Sequence, residues 1–157
     1  MIGENPDSDV IRSSVLGDEL NKAEANGLAA IMGVRRLRDG EVLVKEGEAE
    51  KTLFLLAEGQ ISVASNDTVV YTMRAGECAG TRAFVDRAPR KATLRAVGNA
   101  VVYTLDPERF ESLLEQEPRT VYKVMRALFR ITHSNLMRMN LESQELANYI
   151  SKSHGRY

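Results

Sequence analysis

Between Gly33 and about Leu105 the chain is cut into short apolar, β-branched runs by glycine-containing breaks at close and regular spacing, and this punctuation excludes most folds. The runs are residues 34–37, 42–45, 52–57, 60–64, 69–73, 92–96 and 101–105. The breaks are Asp39-Gly40, Glu46-Gly47, Glu58-Gly59, Asn66-Asp67, Ala75-Gly76 and Gly98-Asn99. Gly, Asn and Asp tolerate the left-handed backbone of tight turns, so each break predicts a chain reversal. Runs so short and so closely spaced leave no room for crossover helices. They predict an antiparallel sandwich, roll or barrel rather than a parallel βαβ sheet.

The flanks have a different period. Residues 1–14 are polar, and Asn5-Pro6-Asp7-Ser8 predicts a flexible, loop-like N-terminus. Leu16, Leu20, Ala23, Leu28, Ile31 and Met32 then recur at helical spacing, predicting one or two short amphipathic helices interrupted near Gly27. After the last run, Asp106-Pro107-Glu108 is a helix start: the Asp carboxylate caps amides and Pro suits the first helical position. That short helix carries Phe110, Leu113 and Leu114 inward and stops before Pro118. A long helix over residues 119–150 follows, with Val121, Met125, Leu128, Thr132, Leu136, Met139, Leu146 and Ile150 near one stripe. The stripe outruns what a small domain needs, so its distal half is read as a homodimer seam, the alternative being packing on its own domain. The domain plan is a β-roll unit over 15–118, a dimerisation helix over 119–150 and a tail over 151–157.

A length of 157 residues suits one domain, and 43% hydrophobic with 27% charged residues indicates an ordinary globular chain. The net charge of −1 argues against a general nucleic-acid surface, which needs clustered Lys and Arg. One cysteine, Cys78, can form no internal disulfide and no cysteine-based metal site. No run approaches the roughly 18 apolar residues of a membrane span, and the acidic start lacks a signal peptide's basic and apolar regions. A cytoplasmic protein without a membrane partner is the expectation.

The chemistry lies in residues 75–93, between two predicted strands. Residues 81–85 can form one short helical turn after Gly80, whose first amides would point outward with partial positive charge. Glycine lets backbone approach an anion closely, and Arg90 can add a bidentate guanidinium contact to the same phosphate.

Three segments in order carry a family resemblance: Gly40-Glu41-Val42-Leu43-Val44-Lys45-Glu46-Gly47-Glu48, then Leu53-Phe54-Leu55-Leu56-Ala57-Glu58-Gly59-Gln60-Ile61-Ser62-Val63, then Pro89-Arg90-Lys91-Ala92-Thr93. Together they resemble the successive signatures of the cyclic nucleotide-binding domain found in catabolite-activator-type bacterial regulators, protein kinase A regulatory subunits and cyclic-nucleotide-gated channels. The resemblance implies a mainly β fold with flanking helices: a jelly-roll-like β-roll, or double-stranded β-helix, with N-terminal helices and a long C-terminal helix. It implies that Gly80 through Arg90 form a phosphate-binding cassette, with Arg90 on the arginine position and Ala83 on a backbone-donor position. The family pattern has a glutamate directly after the glycine, which accepts from the ribose 2′-hydroxyl; this chain has Thr81. Arg82 stands where the family carries an apolar residue.

The ligand-binding residues expected are therefore Gly80, Thr81, Arg82, Ala83, Arg90 and Lys91, with Thr132 and Asn135 on the long helix as contacts for a base edge. Each has a plainer alternative: Thr81 as a helix cap, Arg82, Arg87 and Lys91 as solvated cations, Arg90 as an arginine paired with an acid, Thr132 and Asn135 as register devices in a helical seam. Phe84 and Val85 are expected in the core, Cys78 as a small buried hydrophobe, and His133 as exposed. No paired carboxylates, Ser/His/Asp set, metal cluster or P-loop stands at usable spacing, so no enzyme, cofactor or metal is expected. The expected function is a non-catalytic sensor of a cyclic nucleotide (cyclic AMP or cyclic GMP) or related phosphate-bearing molecule, signalling through the long helix. The alternative is a scaffold that has lost nucleotide binding and serves as an interaction module. Only residues 151–157 follow the long helix, so direct DNA reading by a following helix-turn-helix domain is not expected, and a protein effector is.

Overall fold

The computed structural model describes residues 5–153, with side chains described at all of these but 138–143, 146 and 149–153. Two strands of thirteen residues form the spine: β3 (Leu53–Ser65) and β6 (Thr93–Leu105) run antiparallel side by side. β1 (Gly33–Leu37) pairs with the C-terminal half of β6, from Gly33 opposite Thr104 to Leu37 opposite Ala100. β2 (Val42–Val44) pairs with its N-terminal half. On the other side β5 (Cys78–Ala79) takes the start of β3 and β4 (Thr68–Arg74) its end. The result is one six-stranded antiparallel sheet that rolls without closing.

Two predicted turns are instead bends within continuous strands. Gly59 (φ 90°) lies inside β3 and Gly98 (φ 72°) inside β6, and the β3–β6 register shifts on both sides of Glu58. Glycine at a positive φ lets a paired strand bulge and turn without leaving the ladder. At Gly59 a Cβ would also meet the Asn99 carbonyl oxygen and Ala100, so the close approach of the two strands requires glycine there. Asn66-Asp67 is a true reversal: both residues are left-handed (φ 52° and 65°), the type I′ geometry that closes a two-residue hairpin between Ser65 and Thr68.

Alternation along β3 builds two cores at once. Phe54 and Leu56 point into the roll, where Leu37, Leu43, Ile61, Met73, Leu94 and Val102 join them. Leu53 and Leu55 point the other way, onto the helices. Buried on both faces, this stretch reads as an unbroken apolar run.

The helices close that second face. The N-terminal segment, expected to be loop, contains α1 (Ser8–Arg12), capped by the Asp7 carboxylate, which accepts from the Asp9 amide, and it buries Ile11 completely. Leu16 and Leu20 are core residues in turns, not in a helix. α2 (Lys22–Ile31) starts at an Asn21–Glu24 capping box and runs through Gly27 without interruption. A side chain at Gly27 would collide with the Glu117 carboxylate, so its role is close packing rather than breaking. α4 (Pro107–Glu111) has Asp106 as N-cap and Pro107 at its start; it and the following turn bury Phe110 and Leu113, while Leu114 faces out at 53% exposure.

α5 (Pro118–Ser153) has 36 residues, about 54 Å of helix. Thr120, Val121, Val124, Ala127 and Leu128 are buried against the domain. The single predicted stripe divides here. Val121 and Leu128 face inward, Met125 is partly exposed at the edge of a cavity, and Thr132 and Leu136 face out with Tyr122 and Phe129. Met139, Leu146 and Ile150 lie outside the described side chains. Arg130 bonds both Asp18 and Glu19, and Lys123 bonds Glu24 (2.8 Å), tying α5 to the N-terminal helical segment. No helix among the described residues is long and apolar enough to cross a membrane.

Candidate functional site

Gly80 follows β5 with a left-handed backbone (φ 89°) and is the N-cap of α3 (Thr81–Asp86). That conformation turns the chain sharply out of the strand and into the helix. Gly80, as N-cap, has no side chain to bond the first amides of α3. The anchor is apolar: Ala83 and Phe84 are buried, and the Phe84 ring meets Phe110 of α4 at 5.6 Å. Arg87 ends the helix, again left-handed (φ 59°).

Arg90 lies beneath this turn. Its backbone is stitched to the loop between β2 and β3: the Arg90 amide donates to Glu48 O (2.9 Å) and the Gly47 amide donates to Arg90 O (2.8 Å). Its side chain folds inward and is 3% exposed. The guanidinium sits over the Phe54 ring, 4.9 Å from the centroid. Nη2 donates to the Glu50 carboxylate and, at 2.5 Å, to the Thr52 carbonyl. Nη1 packs so tightly against Gly80 that any Cβ there would collide with it. Nε and Nη1 are buried with no hydrogen-bond partner among the described residues. Buried donors are nearly always satisfied, and a charged one left unpaired costs about 1–3 kcal/mol or more, so two on one guanidinium mark a place for an acceptor.

Glu50 closes the cluster. Burial opposes its charge, but hydrogen bonds from Thr52 and Arg90 outweigh that and hold its carboxyl below the usual carboxylate value. Its side chain keeps 39% exposure and accepts from the Thr52 amide at 3.2 Å. No sequence motif singles out Glu50. The only signal was its place three residues before the apolar run of β3, in a loop of several acids.

The remaining expected residues divide. Gly80, Thr81, Ala83 and Arg90 come together at one turn, with Thr81 half-buried as the first helical residue. Arg82 and Lys91 are exposed beside it, and Arg87 reaches Glu111 of α4 at 3.5 Å. Val85, expected in the core, is 46% exposed. It lines a cavity of about 250 Å³ between α3, α4 and α5, with Phe84, Leu114, Val121 and Met125. The α5 residues in that cavity wall are Val121 and Met125; Thr132 is two turns further along, about 10 Å away by helical rise. The Thr132 hydroxyl donates to the Leu128 carbonyl of its own helix (2.9 Å), and Asn135 is exposed. Burial pushes the Cys78 thiol up to about 12, with the Glu77 charge second, so at neutral pH it is protonated and unreactive. The Phe129 ring stacks on His133 at 6.1 Å, on the exposed part of α5. Among the described residues no group of three or more His, Cys, Asp and Glu is placed to hold a metal ion.

The chain is 26% identical over 106 residues to a cGMP-dependent protein kinase of Plasmodium berghei, a match covering 68% of this chain and 12% of the kinase. Its fold is similar to that of a cyclic nucleotide-binding domain from Methylobacillus flagellatus (TM-score 0.78, 17% identity, 87% of this chain and 84% of that one). It is also similar to a cAMP-bound PfPKA-R (TM-score 0.70, 26% identity, 89% of this chain and 46% of that one). Residues 34–117, more than half of the 157, match the family model for the cyclic nucleotide-binding domain, and the chain belongs to that family.

Proposed function

We propose that this chain is a non-catalytic sensor that holds a cyclic nucleotide, cyclic AMP or cyclic GMP, or a related phosphate-bearing molecule, at the Gly80–Arg90 turn. One observation carries the reading: Arg90 is buried under the α3 N-terminus with Nε and Nη1 unpartnered, beside amides that no side chain caps. A phosphate is the acceptor both need. Arg82 and Lys91 add exposed positive charge around the opening, and Thr81 offers a hydroxyl where the family has a glutamate. The likeness to a cGMP-dependent kinase and to a cAMP-bound regulatory chain supports this ligand class.

The signal leaves through α5. Its first turns share the 250 Å³ cavity with α3, so a shift of the cassette reaches Val121 and Met125 directly. Alongside them Tyr122, Phe129 and Leu136 repeat every seven residues on the exposed side, the spacing of a helical seam, which supports a homodimer through α5 with Thr132 and Asn135 near the partner. The output is then a change in how a protein effector meets that helix. A net charge of −1 offers no general DNA surface, and we place the protein in the cytoplasm.

Thermal unfolding with cyclic AMP or cyclic GMP at about 1 mM tests the sensor: tight binding raises Tm by mass action. Arg90→Ala removes the rise, and because it also breaks the Glu50 ion pair and the contact with the Thr52 carbonyl it lowers the Tm of the unliganded protein. The Arg90–Glu50 ion pair and Thr81 favour a second reading, a scaffold in which an internal carboxylate stands in for the lost ligand. No Tm rise with either nucleotide would select it.

A further inference from the structure

We infer that Glu50 sets the charge of the ligand, making the Arg90 site selective for a singly charged phosphodiester over a doubly charged phosphomonoester. This rests on the reading of Arg90 as an anion site. Glu50 is a fixed wall of that site rather than a passing surface acid, because its carboxylate accepts from both Arg90 Nη2 and the Thr52 amide. The guanidinium carries one positive charge and the partly exposed Glu50 carboxylate one negative, so the pair is neutral before any ligand arrives. What remains for a ligand is hydrogen-bonding capacity: Nε, Nη1 and the first amides of α3.

Such donors suit one charge well. A phosphodiester carries a single negative charge, whereas a monoester carries close to two above its second pKa of about 6. The second charge finds no buried cation left and sits on the same guanidinium as the Glu50 carboxylate, where repulsion is only partly screened. Arg87 is taken by Glu111, and Arg82 and Lys91 are exposed, so their attraction is weakened by water and salt. Glu50, by contrast, is hydrogen-bonded to the guanidinium itself.

Calorimetric titration of the full chain at pH 8 with cyclic AMP and with 5′-AMP holds purine and ribose constant while changing the phosphate charge. The wild type binds cyclic AMP at least tenfold more tightly. Glu50→Gln narrows that ratio at least tenfold, mainly by gaining affinity for 5′-AMP, while Glu48→Gln, one turn of loop away, leaves it unchanged. An unchanged ratio in Glu50→Gln, or an equal narrowing in Glu48→Gln, overturns the role of Glu50 and leaves the anion site standing. If none of the three proteins binds either nucleotide, the anion site itself is wrong and the inference falls with it. Unfolding of each protein without ligand shows that the variants fold, since Glu50 is partly exposed and loses no packing on change to Gln.

Discussion

Gly80 is constrained twice, and the two constraints can be measured apart. Its φ of 89° disfavours any L side chain by about 1–2 kcal/mol, and a Cβ would strike Arg90 Nη1 and crowd the Thr52 carbonyl. Gly76 has a similar φ of 97° but open space around it. Gly76→Ala is therefore expected to lose only the backbone part in a urea melt, and Gly80→Ala at least about 1 kcal/mol more through overpacking. Equal losses would mean that the guanidinium gives way freely. Gly80 and Arg90 were legible in the sequence because glycine before a helical turn and an arginine after Pro89 are local patterns. Glu50 was not, because nothing in residues 46–51 says which acid of several folds back; only the pairing of the β2–β3 loop with Arg90 brings it there.

At the scale of elements, α5 has two faces with opposite sensitivities. Leu128 is 1% exposed in the core, so Leu128→Ala is expected to cost about 2–5 kcal/mol at any protein concentration. Phe129, its neighbour, is 72% exposed, and Leu136 is 53% exposed. Changing both to Asp leaves the monomer fold intact and, if α5 is a dimer seam, converts the protein to monomers on a sizing column at micromolar concentration. An unchanged elution volume would sink the seam. The period of α5 and the strand runs were readable because periodicity is a local property. The assignment of its residues to two faces was not, since Leu128 and Leu136 differ only by which neighbour they meet. The continuity of β3 and β6 was hidden for a related reason: a glycine that ends a strand and one that bends it look alike in sequence, and the cross-strand partner decides. α1 escaped notice because its five residues carry few apolar positions.

For the whole molecule, three junctions between separate parts of the chain are each held by a carboxylate whose pKa lies below its ordinary value. Asp9 is lowered by a hydrogen bond from Lys22, joining α1 to α2. Glu24 is lowered first by its bond from Lys123 and then by the Asn21 amide, joining α2 to α5. Glu50 is lowered by Thr52 and Arg90 against the opposing effect of burial, joining the β2–β3 loop to the cassette. A carboxyl depressed on folding binds its proton more weakly in the native state than in the unfolded chain. It therefore adds stability above the unfolded value, about 3.9 for Asp and about 4.3 for Glu, and that stability is lost as pH falls through the lower native value. Tm is accordingly expected to stay level from pH 8 to about 5.5 and to fall below about pH 4. Glu24→Gln abolishes its share of that acid sensitivity and weakens the hold of α5 on the N-terminal segment, so the acid limb should become shallower while Tm at neutral pH drops slightly. Differential scanning calorimetry across pH 3 to 8 reads both; an acid limb as steep in Glu24→Gln as in the wild type would show that the α2–α5 tie contributes nothing to the fold.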